Sequence, residues 1–324
     1  MQKNNIILFG MENSLGLAQK ISDIVQIPLT KMQTITYADG ENMLVSEQTV
    51  RGRDVFIIAN TARPVNDNIM KLLLFIDSLK RASAKTITVC LSYYGYARQD
   101  RKASGRQPIG AKLVANLLQV AGATKLICVD LHNPSIQGFF DIALDDLRAQ
   151  YTIAQALKTY NQDFTVVSPD HGGTVRARRL AEIIDDTAKI CVIDKRRIGV
   201  NQTEIMGLIG DISNQNAVII DDIIDTGGTI IKAAEALKQN GAKDIIVAAT
   251  HGLFTKGFDI FENNDAIKEV IITDSIDNSQ LATKYKKLKI VSLGEFLGKV
   301  IQAQYSESSV SDVYQLMKEE LRAK

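Results

Sequence analysis

Ten short runs rich in Val, Ile and Leu punctuate the chain, at 6–9, 54–59, 86–91, 125–129, 164–168, 189–193, 217–220, 244–249, 269–273 and 288–292. Several are apolar at successive positions, as in Val55-Phe56-Ile57-Ile58-Ala59, where a half-exposed strand would alternate. Such runs suit strands covered on both faces, which is the situation in a parallel sheet flanked by helices. The intervening stretches supply those helices: 66–82, 110–121, 152–160, 174–184 and 228–239 carry amphipathic patterns, the last followed by Gly241 as a C-terminal cap. The expected fold is therefore α/β, with mostly parallel sheets covered by helices.

Ten strands exceed the need of one open sheet, and 324 residues at ~150 per domain predict two domains. A boundary is expected near 148, in the polar stretch Asp145-Asp146-Leu147-Arg148-Ala149-Gln150, giving units 1–148 and 149–324. The net charge of +1 offers no bulk attraction for nucleic acid or an anionic membrane, so any anion needs a local site. No run approaches the ~20 apolar residues of a membrane helix, and the N-terminus enters a strand-like run at once, so no secretory signal is expected. Cys90, Cys128 and Cys191, an odd number, sit in β-type runs and read as reduced core residues of a cytoplasmic protein.

In open α/β sheets ligands bind beyond the carboxyl ends of the strands. All three histidines fall there: His132 after Asp130-Leu131, His171 after Asp170, and His251 after Thr250. His251 reads as structural; His132 and His171, each near an acid, suit metal or phosphate work. The most informative segment is Val218-Ile219-Ile220-Asp221-Asp222-Ile223-Ile224-Asp225-Thr226-Gly227-Gly228-Thr229, read as a strand, an acidic turn, and small residues opening a helix. Backbone N–H groups of Thr226 to Thr229 can converge on a phosphate at the helix's positive end. Carboxylates repel phosphate, so Asp221 and Asp222 suit vicinal sugar hydroxyls, bound directly or through a divalent cation.

Two basic segments leave strands on the same edge. Tyr93 to Lys102 holds the basic residues Arg98, Arg101 and Lys102, which can grip polyphosphate while a ring stacks on a base; a solvated charged loop fits the bare pattern equally. Asp194-Lys195-Arg196-Arg197 is either a surface charge run or a set of cations for phosphoryl transfer. Asp170-His171-Gly172-Gly173 forms a further glycine turn, ahead of a helix bearing Arg176, Arg178 and Arg179. The glycines of 10–16 have the wrong spacing for a dinucleotide fingerprint.

Taken in order, Tyr37-Ala38-Asp39-Gly40-Glu41, Tyr93 to Lys102, Asp130-Leu131-His132 with Gln137 to Asp141, Ser168 to Gly173, Asp194 to Arg197 and Asp221 to Thr229 resemble the ribose-phosphate pyrophosphokinase (phosphoribosyl pyrophosphate synthetase) family. The likeness runs from about residue 5 to 311. It implies two tandem phosphoribosyltransferase-like domains and Mg2+-dependent transfer of the diphosphoryl group of ATP to ribose 5-phosphate, giving phosphoribosyl pyrophosphate and AMP. By the family pattern, Asp225, Thr226, Gly227, Gly228 and Thr229 hold the 5-phosphate, and Asp221 and Asp222 face the ribose hydroxyls. ATP contacts fall on Tyr37, Asp39, Gly40, Glu41, Arg98 and Gln99, the first group reaching a neighbouring subunit's nucleotide. Metal ligands fall on His132, Asp170 and Asp130, and the catalytic pair on Lys195 and Arg197.

The resemblance further implies a homo-oligomer, a hexamer built from dimers, a C-terminal end that packs back on the first domain, and phosphate and ADP control to which Arg51, Arg101, Ser309, Val310 and Ser311 correspond. The chain departs from the pattern at Tyr37 (usually Phe), Ala38 (usually Ser), Ser104-Gly105, Ala143 and Ile198-Gly199, and 312–324 extend past the usual end. Alternatives left by the residues are a phosphoribosyltransferase, or a catalytically silent homologue that binds active subunits.

Overall fold

The computed structural model describes residues 3–185, 187–199 and 202–323, with side chains described except at 4, 196–199 and 202–205. The chain divides into two compact units, one of 1–148, 275–277 and 293–313, the other of 149–274, 278–292 and 314–324. After the crossing at Arg148 and Ala149 the chain thus returns to the first unit twice, where the sequence reading drew a single cut.

In the first unit the strands are β1 (Ile6–Gly10), β2 (Met32–Thr36), β3 (Asn42–Ser46), β4 (Asp54–Asn60), β5 (Thr86–Tyr93), β6 (Lys125–Val129) and β7 (Ala143–Leu147). Five form a sheet in the order β1-β4-β5-β6-β7, parallel throughout, and β2 and β3 form a separate antiparallel hairpin. The second unit contains β8 (Thr165–Ser168), β9 (Ile190–Gly199), β10 (Gln202–Ile209), β11 (Ala217–Ile224), β12 (Ile245–Gly252), β13 (Glu269–Thr273) and β14 (Leu288–Val291). They form one sheet in the order β10-β9-β8-β11-β12-β13-β14, parallel except for the antiparallel edge pair β9–β10.

The helices are α1 (Leu15–Val25), α2 (Val65–Arg81), α3 (Gly110–Ala121), α4 (Gln150–Lys158), α5 (Thr174–Ile184), α6 (Gly228–Gln239), the short α7 (Asp259–Glu262) and α8 (Ser279–Lys284), α9 (Gly294–Ser306) and α10 (Val310–Ala323). Gly241, just past α6, adopts φ +86°, the left-handed conformation that ends a helix at least cost in glycine.

Consecutive strand residues serve opposite faces, which explains their uninterrupted apolarity. In the second unit Val167, Ala217, Ile219, Ile245, Val247, Val270 and Ile272 join one buried cluster with α6. Their immediate neighbours Val166, Val218, Ile220, Ile246, Ala248 and Ile271 join another with α4 and α5. Burying each such Val or Ile is worth about 1.5–3 kcal/mol, so both faces contribute to stability.

The strands that the sequence reading passed over are those with one wet face. β2 mixes half-buried and exposed positions, β3 buries only Leu44, and β7 is an edge strand holding Asp145 and Asp146. In the first unit α9 lies against α1 so closely that a Cβ on Gly298 would meet Ile24 Cγ2 at 2.5 Å. In the second, α10 buries Met317 and Leu321, sets the Tyr314 ring tilted against that of Tyr151, and accepts the Lys158 ammonium on the Leu321 carbonyl. Cys90, Cys128 and Cys191 are free and buried, and burial raises the Cys90 thiol to about 12. Among the described residues no helix is long and apolar enough to cross a membrane.

Candidate active site

In the second unit, three strands deliver the sequence-predicted residues to their carboxyl ends. β11 continues to Ile224, so Asp221 and Asp222 lie within the strand, where the sequence reading put an acidic turn. Pairing with β12 holds them there, Asp221 opposite Ala249 and Ile223 opposite His251. His251 is buried at this point, in keeping with a structural role.

The two acids share one cation. Arg176, in the first turn of α5, places Nη1 at 2.9 Å from Asp221 Oδ1 and Nη2 at 3.2 Å from Asp222 Oδ1. Asp221 Oδ1 also accepts the Asp222 backbone N–H at 2.9 Å. Burial and the neighbouring Asp222 charge push the Asp221 carboxyl up to about 8, against the pull of Arg176. The sequence alone marks Arg176 as one of three arginines on a basic helix; its place three residues after the glycine turn is the available signal.

Beyond the acids the chain turns through Asp225-Thr226-Gly227 into α6. Asp225 is tied down, its Oδ1 accepting the Thr255 hydroxyl at 2.6 Å and its carbonyl the Thr255 N–H at 3.1 Å. Gly227 has φ +80°, and a Cβ there would lie 2.5 Å from Phe261 Cζ, so only glycine fits without displacement. Thr226, Gly228 and Thr229 are exposed, with first-turn N–H groups that have no acceptor within the helix. This is an anion cradle open to solvent.

The turn after β8 is built around Asp170. Its Oδ1 accepts the Gly173 N–H at 3.0 Å, and its Oδ2 lies 3.0 Å from Lys195 Nζ on β9. Desolvation acts upward on this carboxyl, but the Lys195 ammonium and the Gly173 and Gly172 N–H groups together hold it below the ordinary aspartate value. Lys195 is largely buried, its side chain 15% exposed. A Cβ on Gly173 would press on Ser168 Oγ at 2.7 Å, so the glycine lets the turn close. His171 Nε2 sits 2.8 Å from Asp194 Oδ1, both exposed. Arg197 lies on β9 opposite Thr203, and its side chain falls outside the described residues, as does that of Arg196.

The first unit carries the remaining candidates. Tyr37 to Glu41 form the loop of the β2–β3 hairpin, closed by Tyr37 N–H to the Glu41 carbonyl at 2.8 Å and Glu41 N–H to Asp39 Oδ1 at 3.1 Å. Gly40 takes φ +95° at its tip, and all five residues are exposed, Tyr37 by 48% with its hydroxyl 3.7 Å from Met43 Sδ. Arg98 and Gln99 are exposed in the turn after β5. This loop is fastened to the one after β6, where Asn133 Nδ2 donates to Asp100 Oδ2 at 2.5 Å.

His132 is exposed, whereas Asp130 is buried, adopts φ +43°, and lies 3.6 Å from Arg148, which also holds Asp146 at 2.8 Å. Elsewhere Arg51 donates to Ser83 Oγ at 3.0 Å, and Ser309 Oγ accepts the Ser311 N–H at 3.1 Å where Val310 opens α10. Arg101 is exposed.

No group of three or more His, Cys, Asp or Glu side chains among the described residues forms a metal cage. The donors fit a different arrangement: Asp170 is an ionised, 41% exposed carboxylate, suited to a hard cation held by one or two carboxylates and the oxygens of a bound phosphate.

A family model described as the N-terminal domain of ribose phosphate pyrophosphokinase matches residues 6–122, and one described as a phosphoribosyl synthetase-associated domain matches 170–315. The chain belongs to the ribose-phosphate pyrophosphokinase family. It is 62% identical over 314 residues to the ribose-phosphate pyrophosphokinase of Mycoplasmopsis pulmonis, covering 97% of this chain and 98% of the relative. To that of Bacillus subtilis it is 45% identical over 311 residues, covering 96% and 97%. The crystal structure of phosphoribosylpyrophosphate synthetase from Mycobacterium smegmatis superposes with a TM-score of 0.86 at 34% identity, covering 94% of this chain and all of that one. Both halves of the family's length are thus present in one chain.

Proposed function

We propose that this chain is a ribose-phosphate diphosphokinase: it transfers the β,γ-diphosphoryl group of ATP to the anomeric hydroxyl of ribose 5-phosphate, releasing AMP and phosphoribosyl pyrophosphate. The observation that carries this reading is the order of groups along one strand–turn–helix of the second unit. Two carboxylates for a vicinal diol, Asp221 and Asp222, precede an open anion cradle at 226–229. That order matches a sugar phosphate read from its hydroxyls to its 5-phosphate.

In the transfer the anomeric oxygen bonds to the β-phosphorus, the bond from that phosphorus to the α,β-bridging oxygen breaks, AMP departs with the bridging oxygen, and the hydroxyl proton is released. Such a step asks for in-line placement and for cations on the migrating oxygens. Lys195 serves as one cation: it is already desolvated against Asp170, and a diphosphate entering at the 170–173 turn offers its ammonium a new acceptor. Arg197 follows two residues on and is assigned the same work by the family pattern. Tyr37, Asp39, Gly40 and Glu41 present an exposed loop to a nucleotide bound by a neighbouring subunit, with Arg98 and Gln99 contacting ATP from their own turn.

Mg2+, bound with the phosphates, would add charge neutralisation and acidify the attacking hydroxyl. Asp170, with His132 and Asp130 by family pattern, are its candidate ligands, Asp130 the least accessible of them. The working form is a homo-oligomer, a hexamer by resemblance, acting in the cytoplasm without nucleic acid or membrane. The test is AMP formation from Mg-ATP by the purified chain, with and without ribose 5-phosphate. Ribose-dependent AMP with an equal amount of phosphoribosyl pyrophosphate is expected; ligand binding without AMP under any metal or phosphate condition would replace this reading with the silent homologue.

A further inference from the structure

Adjacent residues on a strand point to opposite faces, so Asp221 and Asp222 are not by themselves a pair. Yet one guanidinium, that of Arg176, reaches both, at 2.9 and 3.2 Å. Its two nitrogens form the fork that matches carboxylate geometry, which an ammonium cannot do. Each contact takes the Oδ1 atom, and Asp221 Oδ1 is drawn further back by the Asp222 N–H at 2.9 Å.

Arg176 is itself held in place. The carbonyl of Arg176 accepts the side-chain amide of Gln150, a residue only 4% exposed, at 2.8 Å. Its Nη1 would lie 3.8 Å from a Cβ on Gly173, so the guanidinium packs against the glycine turn that opens α5. Without it two carboxylates, one buried and one three-quarters buried, would face each other with their shared cation gone.

We propose that Arg176 is a positioning residue for sugar recognition: its fork gathers the acid groups of Asp221 and Asp222 into one hydrogen-bonding site that reads the vicinal 2- and 3-hydroxyls of the pentose phosphate. The inference rests on the sugar assignment made above. It adds that hydroxyl discrimination depends on a residue that acts through the two acids and need not touch the sugar itself. A site built to bond a hydroxyl rejects an analogue lacking it, because the protein's polar groups are then left unpaired. A single well-placed acceptor pair therefore yields a preference for ribose 5-phosphate over 2-deoxyribose 5-phosphate, and a splayed pair does not.

The experiment compares wild type, Arg176→Ala, Arg176→Met and Arg176→Lys in the full chain. Calorimetry measures binding of each pentose phosphate, and AMP formation measures KM for each substrate. For Ala and Met, affinity for ribose 5-phosphate is expected to fall at least tenfold and the ribose-to-deoxyribose ratio to collapse towards one, with KM for ATP within twofold. Lys is expected to lie between, because it restores charge without the fork, and added ethylguanidinium is expected to recover part of the Ala loss. Should Ala or Met fail to fold, Lys alone still decides: a ribose-to-deoxyribose ratio equal to wild type overturns the proposal. So does an equal loss for both sugars and ATP, which would mark a general structural role. If wild type makes no AMP, the enzyme reading fails, while calorimetry still tests Arg176; if wild type binds no pentose phosphate, the sugar assignment itself fails.

Discussion

Replacing Asp221 by Asn should stabilise the folded chain at alkaline pH while damaging the site. The Asp221 carboxyl sits beside Asp222 with Arg176 as the compensating charge, and burial with that neighbour raises it from 3.8 to about 8. The folded state therefore holds a proton that the unfolded chain releases near 3.8. Where the folded state binds more protons, stability falls as pH rises, by at most about 1.4 kcal/mol per unit. The loss begins near the unfolded value and is complete above about 8. At that slope the span from 3.8 to about 8 would amount to about 6 kcal/mol; because the side chain is 25% exposed and shares its titration with Asp222, solvent and coupling bring the total to roughly half that or less.

Asn keeps the shape and cannot ionise, so Asp221→Asn should match wild type most nearly below about pH 4 and exceed it progressively towards pH 8.5, while ribose 5-phosphate binding weakens at least tenfold. Urea unfolding of both proteins across that range gives the difference, which includes the altered titration of Asp222 beside a neighbour that no longer ionises. Parallel curves, or a variant whose disadvantage grows with pH, would refute the account of a carboxylate strained by its surroundings.

Lys195→Ala should lower kcat by about 10²–10³ while leaving ribose 5-phosphate affinity near wild type, because the lysine is set against Asp170 and not against the sugar acids; unchanged turnover would remove Lys195 from the mechanism. Gly227→Ala should cost about 1–3 kcal/mol in thermal or urea unfolding and reduce sugar phosphate binding, because φ +80° and the Phe261 ring at 2.5 Å both oppose a Cβ. Gly298→Val should likewise cost about 1–3 kcal/mol by forcing α9 away from Ile24, with kcat in the surviving folded protein close to wild type. An unshifted melting temperature in either glycine variant would show that the packing there is looser than described.

The sequence shows the interior strands because burial on two faces leaves an unbroken apolar run, as at Val218 to Ile220 and Ile245 to Ala249. It also shows the exposed, glycine-containing start of α6 proposed to hold a phosphate, because Thr226 to Thr229 are contiguous and the chemistry of a helix start is local. Elements that meet water are harder to read. The hairpin that bears Tyr37 to Glu41, the polar edge strand β7 and the antiparallel strand β10 carry weak periodicity, and α10 gains its order from Tyr151 and Lys158, more than 150 residues away for the Lys158 contact.

Local chemistry in this chain is thus written in contiguous residues, down to the family they resemble. Which charges meet is not. That Arg176 bridges Asp221 and Asp222, that Lys195 rests on Asp170, and that Thr255 anchors Asp225 are decisions of the tertiary structure. Each joins residues 25 to 46 positions apart, brought within 3.2 Å by the parallel pairing of β8 with β9, of β11 with β12 and, out of chain order, of β8 with β11. Composition and spacing specify which side chains leave each strand, whereas only the ordering of β8, β9 and β11 side by side specifies which of them become neighbours.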